Sequence, residues 1–475
     1  MSKLKLFVEN FLAFGLGGVI NGIAPFIMIP IVTRFMPDTS YYGITDLSNT
    51  LVQFGRAFAS MGMFDAMFRL FFDKDDKEYQ KAVCSTAFTF VLFASALTFV
   101  GMILFRNHLA FIFFNNPRYA YIIYIVAIST LVGAINSIVA APTRMQNKRK
   151  QFLFVSIINP IATYAISLSL LFRGYYIVAL PIAGAVAITL TGITFWTLNR
   201  DWFDVTRFRF DFLKRLIPIA LPIVPNLIIY WTLNSSGKIM ITSILGTHMT
   251  GIFSVGLQLG QVSQLIYLAF AGGWQYFAFS TMREENQAKT NSLIFEYLGA
   301  FSFVCSMLIF TLARNIYNLL FVGDFIKGYS VAPYLFMAPL LLMLFQVAGS
   351  QFVVIKKTWP PMVILLIGVG INIALNLLLI PRLGIEGAGI AILIGYIISV
   401  AICVFVLTKM KLFVISYRLT LSVCMMTLFI LLWRFFLKES LLGSICMTLA
   451  FSSIYIYLYR KDLKFVFDII RNKVV

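Results

Sequence analysis

Apolar runs long enough to cross a bilayer recur along this whole chain, and they constrain its fold more than any other feature. A spanning helix needs ~20 mostly apolar residues. Fourteen stretches qualify: 7–34, 43–70, 82–105, 119–141, 152–172, 175–197, 216–238, 249–278, 292–313, 330–354, 361–380, 387–408, 412–435 and 441–459. Inside hydrocarbon each backbone N–H and C=O must be bonded internally, so such runs are helices. Of the 475 residues, 60% are hydrophobic and 12% charged, where soluble domains carry ~25% charged. The mean hydropathy is +0.89. The predicted class is an all-α polytopic membrane protein. Between the third and fourth runs, Arg106 to Arg118 holds a short LAFIFF segment that suits the membrane interface. The N-terminus, MSKLKLFVENF, begins like a signal peptide. Its apolar run continues to about Phe35 with no small-residue cleavage site, so it reads as a retained first helix.

The formal net charge is +19. Most Lys and Arg fall in the N-terminus, the even-numbered connections and the C-terminal tail. The positive-inside rule accounts for that alternation, places both termini in the cytoplasm and supports an even number of spans. The basic balance therefore reports topology, and no nucleic acid is expected as a partner. The five cysteines, Cys84, Cys305, Cys403, Cys424 and Cys446, lie in apolar runs without a CxxC pair and read as small buried hydrophobes. The two histidines, His108 and His248, sit near the expected outer ends of helices. No ligand set suggests a metal, no phosphate-binding loop suggests an ATP motor, and no cofactor is implied.

Span two is unlike the others. From Tyr41 to Phe72 it reads as one helix, YYGITDLSNTLVQFGRAFASMGMFDAMFRLFF. Asp46, Asn49, Gln53, Arg56 and Ser60 recur at spacings of three, four, three and four, which is one helix face. A charge at bilayer depth costs ~2.5–3.5 kcal/mol on insertion scales and is kept where it faces a partner or a water-filled cavity. The structural alternative is a pair between Arg56 and Asp46 or Asp65. Those carboxylates lie ten and nine residues away, too far to touch it within one helix.

The longest connection, Asn199 to Leu213, alternates basic and aromatic residues and suits anionic headgroups. It divides the chain into residues 1–198 (an N-lobe of six spans), the linker 199–215, residues 216–408 (a C-lobe of six spans) and an appendix, 409–475, of two spans and a basic tail. The lobes show a faint repeat. Laying Gly43 on Gly251 places Gln53 on Gln261 and Arg56 on Gln264. Spans one and seven are both proline-interrupted, by Pro25 and Pro30 and by Pro218, Pro222 and Pro225. Interrupted helices at matching places point to a transporter's binding site. Polar residues gather in the same spans: Glu9, Asn10, Asn21 and Arg34 in span one; Asn226, Tyr230, Asn234 and Lys238 in span seven; Ser254, Gln258 and Gln261 in span eight. Singly, each amide reads as an interhelical hydrogen bond worth ~0.6 kcal/mol. The stretch NLLLIPRLGIEGAG, Asn376 to Gly389, reads as a tight turn between spans eleven and twelve. No strand precedes its glycines, so it is not a phosphate loop.

Four patches resemble the polysaccharide flippases of the multidrug/oligosaccharidyl-lipid/polysaccharide exporter superfamily, the Wzx-type O-antigen or capsule-repeat flippases. They are IPIVTRFMPDTSYYGI (29–44), MGMFDAMFRLFF (61–72), NSSGKIMITSILGTHMTGIFSVG (234–256) and LNLLLIPRLGIEGAGIA (375–391). The resemblance implies two six-helix lobes around a central cavity, two extra C-terminal helices, and transport without catalysis. It also implies the cargo: an oligosaccharide on a polyprenyl pyrophosphate, crossing the bacterial cytoplasmic membrane. On that reading Arg56, Arg34 and Lys238 would hold the pyrophosphate. Asn49, Gln53, Asn226, Tyr230, Asn234, Gln258 and Gln261 would bond sugar hydroxyls. Asp46, Asp65 and Glu9 would couple transport to Na+ or H+. The family often has an acid followed by Arg where this chain has Gly237 and Lys238, so coupling through that acid has no carrier here. Expected partners are membrane lipids and the polymerases or glycosyltransferases of the same pathway, with a monomer as the default state. Two other readings are weighed. A drug exporter of the same superfamily wants acidic, aromatic walls for a cation, whereas the deep charges here lean positive. A polymerase or glycosyltransferase wants large external loops, and these are short.

Overall fold

The structure, a computed structural model, describes residues 22–280, 286–355, 357, 359–462 and 464. Among them there are helices and turns and no strand. Eleven helices are long and apolar enough to cross a membrane. Three further helices, the shorter α1 (Gly22–Arg34), the polar α2 (Thr39–Ser60) and α12 (Thr247–Ser280), lie where the other expected spans fall in the sequence. The chain is a multi-pass membrane protein.

Span two is not one helix. The chain breaks at Met61 and Gly62, which have φ of 45° and 72°, and resumes as α3 (Met63–Phe71). Glycine reaches positive φ without a Cβ penalty. It is also required here sterically, because a Cβ on Gly62 would lie 2.6 Å from the Ala220 carbonyl. Asp65 therefore belongs to a different helix from the polar stripe.

The chain forms two compact units. The first comprises Met1–Gln258, Phe321–Phe325 and Asn372–Ala388; the second comprises Leu259–Leu320, Ile326–Ile371 and Gly389–Val475. In the first, α2 packs on α6 (Ala120–Val139), which also contacts α4 (Lys77–Leu104) and α9 (Ala179–Asn199). Close approach of α2 and α6 depends on Gly55, where a Cβ would lie 2.7 Å from Thr130 Cγ2. Ile44, Leu47 and Leu51 are fully buried on this side, with Phe113 and Phe114 of α5 (Arg106–Phe114), the LAFIFF helix. The helix α7 (Ala141–Met145) leads into α8 (Arg149–Phe172). The basic and aromatic connection is pinned to α4. Ser85 Oγ donates to the Trp202 carbonyl at 3.3 Å and accepts from the Asp204 amide at 3.0 Å, and Phe203 is buried.

Span seven is interrupted where its prolines fall. It runs as α10 (Phe210–Ala220), a 3-10 turn at Leu221–Ile223, and α11 (Val224–Leu245). A proline removes one amide and clashes with the preceding turn, which is why the regular helix yields there.

The second unit centres on α13 (Gln287–Leu320), packed on α14 (Ala332–Val354), α17 (Tyr417–Leu432) and α18 (Leu441–Leu458). At one end Arg418 reaches Glu296 (2.9 Å) and Asp462 (2.5 Å), and Tyr297 donates to Asp462 at 2.8 Å. The helices α15 (Trp359–Leu383) and α16 (Ile385–Lys409) meet at Gly384, with φ of 61°. The turn is thus confined to one residue, and Asn376 lies inside α15 rather than in the turn. Cys84 and Cys403 are buried as expected, but Cys424 and Cys446 are exposed on α17 and α18. A thiol facing hydrocarbon loses little, so apolar sequence context alone does not fix its burial.

Candidate functional site: a polar face on α2

The buried side of α2 runs through Ile44, Leu47, Ser48, Leu51, Gly55 and Ala59. The polar stripe occupies the opposite side. Asn49 and Gln53 are exposed, and Asp46, Arg56 and Ser60 are half-buried. Such an arrangement follows from helical periodicity: one face supplies packing and the other is left open.

Arg56 lines a cavity of about 250 Å³ with Gln53, Ala57 and Ser60 of α2, Ala134 and Ser137 of α6, and Leu227 of α11. Its guanidinium lies against Gly133, where an added Cβ would sit 2.9 Å from Nε and Cδ. Gly133 thus provides the room for Arg56, a role the sequence does not announce because the two lie on different helices. Arg56 makes no ion pair or hydrogen bond among the described residues. Neither Asp46 nor Asp65 is its partner, so the structural-pair alternative does not describe this site.

Asp46 is engaged elsewhere. Lys238 Nζ lies 2.7 Å from Asp46 Oδ2, and Ser254 Oγ donates to the same oxygen at 2.6 Å. The pair is 13% and 20% exposed, which makes it a largely desolvated link among α2, α11 and α12. Beside it Gln258 Nε2 donates to the Tyr42 hydroxyl at 3.2 Å, while its Oε1 is buried without a partner among the described residues. Trp231 fastens α11 to α2, its Nε1 donating to the Thr50 carbonyl at 3.0 Å. A ten-residue step along α2 separates Asp46 from Arg56 by ~15 Å. The face therefore carries a neutralised pair at one level and an open guanidinium at another.

The other expected site residues are placed as follows. Asn226 and Asn234 are exposed on α11, and Asn234 Nδ2 donates to the Tyr230 carbonyl at 2.8 Å. Arg34 is exposed at the end of α1 and is not among the residues lining the Arg56 cavity. Gln261 is exposed on α12 and belongs to the second unit. Asp65 is exposed on α3, where Arg144 is the charge that faces it. Glu9, with Asn10 and Asn21, lies outside the described residues.

A polar knot escaped notice in the sequence. Asn372 and Asn376, one turn apart on α15, are fully buried, and Asn372 Oδ1 accepts from Ser236 Oγ at 3.1 Å and Asn376 Nδ2 at 3.2 Å. The i, i+4 amides in NIALN were the available signal.

At the helix starts, Asp38 caps α2 and accepts from the Ser40 amide at 2.7 Å. His248 lies between two carboxylates, with Nδ1 3.3 Å from Asp38 and Nε2 3.4 Å from Asp324. Burial acts to raise the Asp38 carboxyl, but bonds from Ser40 and the imidazole hold it below the ordinary range. Just below, a Cβ on Gly43 would lie 2.3 Å from the Thr247 carbonyl, and one on Gly251 would lie 1.9 Å from that of Thr39. There α2 and α12 meet backbone to backbone.

The fold is that of membrane flippases and multidrug exporters. A lipid II flippase, MurJ, in an inward closed conformation superposes with a TM-score of 0.69 over 96% of this chain and 100% of its own, at 15% identity. An inward-facing multidrug resistance MATE transporter of the MOP superfamily gives 0.60 over 85% and 94%, at 14% identity. A mutant of the Vibrio cholerae MATE transporter VcmN gives 0.59 over 86% and 98%, at 13% identity. The sequence matches no curated protein. Residues 31–321 match the family model described as polysaccharide biosynthesis protein, and the chain belongs to that family.

Proposed function

We propose that this protein flips polyprenyl-pyrophosphate-linked oligosaccharide units across the bacterial cytoplasmic membrane, by alternating access and without an ATPase of its own. The observation that carries the reading is Arg56, a half-buried guanidinium on an open cavity with no carboxylate partner among the described residues. A cation held in that way favours an anion from outside the chain. A pyrophosphate accepts bidentate bonds from Arg, and low dielectric strengthens them. The same positive site disfavours an exported cation. Asn49, Gln53, Asn226, Tyr230, Asn234, Gln258 and Gln261 serve the sugar hydroxyls in this reading, and Arg34 adds a second cation.

Lys238 enters in a second role. Its charge is neutralised by Asp46. A proton or Na+ taken up at Asp46 would release the ammonium toward the pyrophosphate, so coupling and substrate binding share one pair. Asp65 and Glu9 remain further coupling candidates. The lobes are residues 1–198 and 216–408, joined by the linker 199–215 and followed by 409–475, with both termini cytoplasmic. The protein works as a monomer beside the polymerase and glycosyltransferases that handle the same lipid.

The test is lipid mass spectrometry on a strain lacking the gene. An unpolymerised polyprenyl-pyrophosphate oligosaccharide should accumulate, clear when the wild type is restored, and persist with Arg56→Ala at equal expression. No accumulation in a strain with no redundant flippase would overturn the reading.

A further inference from the structure

The first turn of α2 and the first turn of α12 are tied by a single imidazole, and nothing in the transport reading uses it. His248 faces Asp38 through Nδ1 and Asp324 through Nε2. Its own carbonyl accepts from Thr39 Oγ1 at 2.8 Å. The three side chains are 39%, 49% and 45% exposed, so protons exchange freely with bulk solvent.

We propose that His248 is a proton-operated latch that closes the Gly43–Gly251 seam when the imidazole carries its second proton. The chemistry is one of donor count. A neutral imidazole has one N–H, so one of the two carboxylates faces a ring lone pair. An imidazolium donates from both nitrogens and ties Asp38 to Asp324 while cancelling their mutual repulsion. The carboxylates lie at opposite ring nitrogens, so a single metal ion does not touch both and the imidazole, and the described residues hold no metal-binding group.

The charged and titratable groups nearest the latch in sequence, on the elements that carry it, are the following. On α2 they are Tyr41, Tyr42 and Asp46, the last already bonded to Lys238 and Ser254. Arg34 precedes Asp38 on α1, and Lys327 and Tyr329 follow Asp324 in the 3-10 turn Gly323–Ser330. On α12 itself the next titratable residue is Tyr267. Histidine is the side chain type that changes charge near neutral pH, and His248 is the one imidazole among these groups. The Asp38 carboxylate stays ionised across that range, its carboxyl being held low by Ser40 and the imidazole against the effect of burial. Inside the latch, the Thr39 hydroxyl bond and the glycine contact do not titrate. The proton thus biases a closure whose shape is already set. By the positive-inside rule this end faces outward, so the latch senses the outer medium.

The proposal builds on the alternating-access reading, but its test reads backbone protection rather than transport, so the two can fail separately. Amide hydrogen exchange would be followed on the full chain in lipid nanodiscs at about pH 5.5 and about pH 8, corrected for intrinsic rates. Protection of residues 40–46 and 249–253 should rise roughly two- to fivefold in acid for the wild type, as suits an exposed charge pair. His248→Gln should lose that rise, His248→Arg should hold high protection at both pH values, and Asp38→Asn with Asp324→Asn should lose the rise while keeping the cap. If His248→Gln rises as the wild type does, or His248→Arg behaves as His248→Gln in chains of unchanged gel-filtration profile, the latch is overturned.

Discussion

The Lys238 ammonium lies 2.7 Å from the Asp46 carboxylate, across 192 residues of chain, with Ser254 donating to the same oxygen. Both groups are largely desolvated, so removing one leaves the other as a costly buried charge. Breaking such a pair costs ~3–5 kcal/mol when fully buried and less with partial exposure. Asp46→Asn and Lys238→Met should each lower the melting temperature, and the double variant should recover much of the loss. Scanning fluorimetry on a double-mutant cycle checks this; simple additivity would show the pair to be uncoupled.

Arg56 should behave in the opposite way. It lies on a cavity with no ion partner among the described residues, so its desolvation is uncompensated in this state. Arg56→Met should keep or raise thermal stability while abolishing clearance of the lipid-linked intermediate. Arg56→Lys should retain part of the activity, since a point charge replaces a bidentate fork. Melting curves paired with lipid extracts from the same cells test both halves.

The seam between α2 and α12 tolerates no side chain. Gly251→Ala would place Cβ within 1.9 Å of the Thr39 carbonyl, and backbone cannot swing aside as a side chain can. Overpacking of this kind costs ~1–3 kcal/mol. The substitution should destabilise the seam locally and speed amide exchange at residues 39–45, with little change at α17 and α18.

Within the second unit, Glu296 is 3% exposed and held by Arg418, which also binds Asp462. Arg418→Met should cost less than the ~3–5 kcal/mol of a fully buried pair, because Arg418 is partly exposed and Ser416 still donates to the buried carboxylate. Glu296→Gln in the same chain should restore part of it. Burial acts to raise the Asp462 carboxyl, but Tyr297 and Arg418 hold it below its ordinary value. A depressed carboxyl contributes stability above its unfolded value, near pH 4, and loses it as pH falls through the folded one. The end of α18 should therefore loosen in acid below about pH 4, as hydrogen exchange would show.

Hydropathy made the eleven long apolar helices legible, since length and apolarity are local properties. The 3.6-residue period likewise exposed the face of Asp46, Asn49, Gln53 and Arg56. The break at Met61–Gly62 was hidden because a left-handed Met has no sequence signature and its glycine answers to Ala220, a distant contact. Pairing was hidden for the same reason: Lys238 reads as a free cation until α11 is laid against α2. The role of Gly133 in seating Arg56 and the knot at Asn372 and Asn376 also depend on which helices become neighbours. Burial of Cys424 and Cys446 failed because lipid, like a protein core, welcomes a small apolar side chain.

The backbone seam at Gly43 and Gly251 has an entropic consequence. Where bulky residues interlock, each closure must freeze their rotamers and each opening must release them. Two bare peptide surfaces have no such freedom to lose. They can part and rejoin with only water changing places, so the seam returns to the same register at every closure.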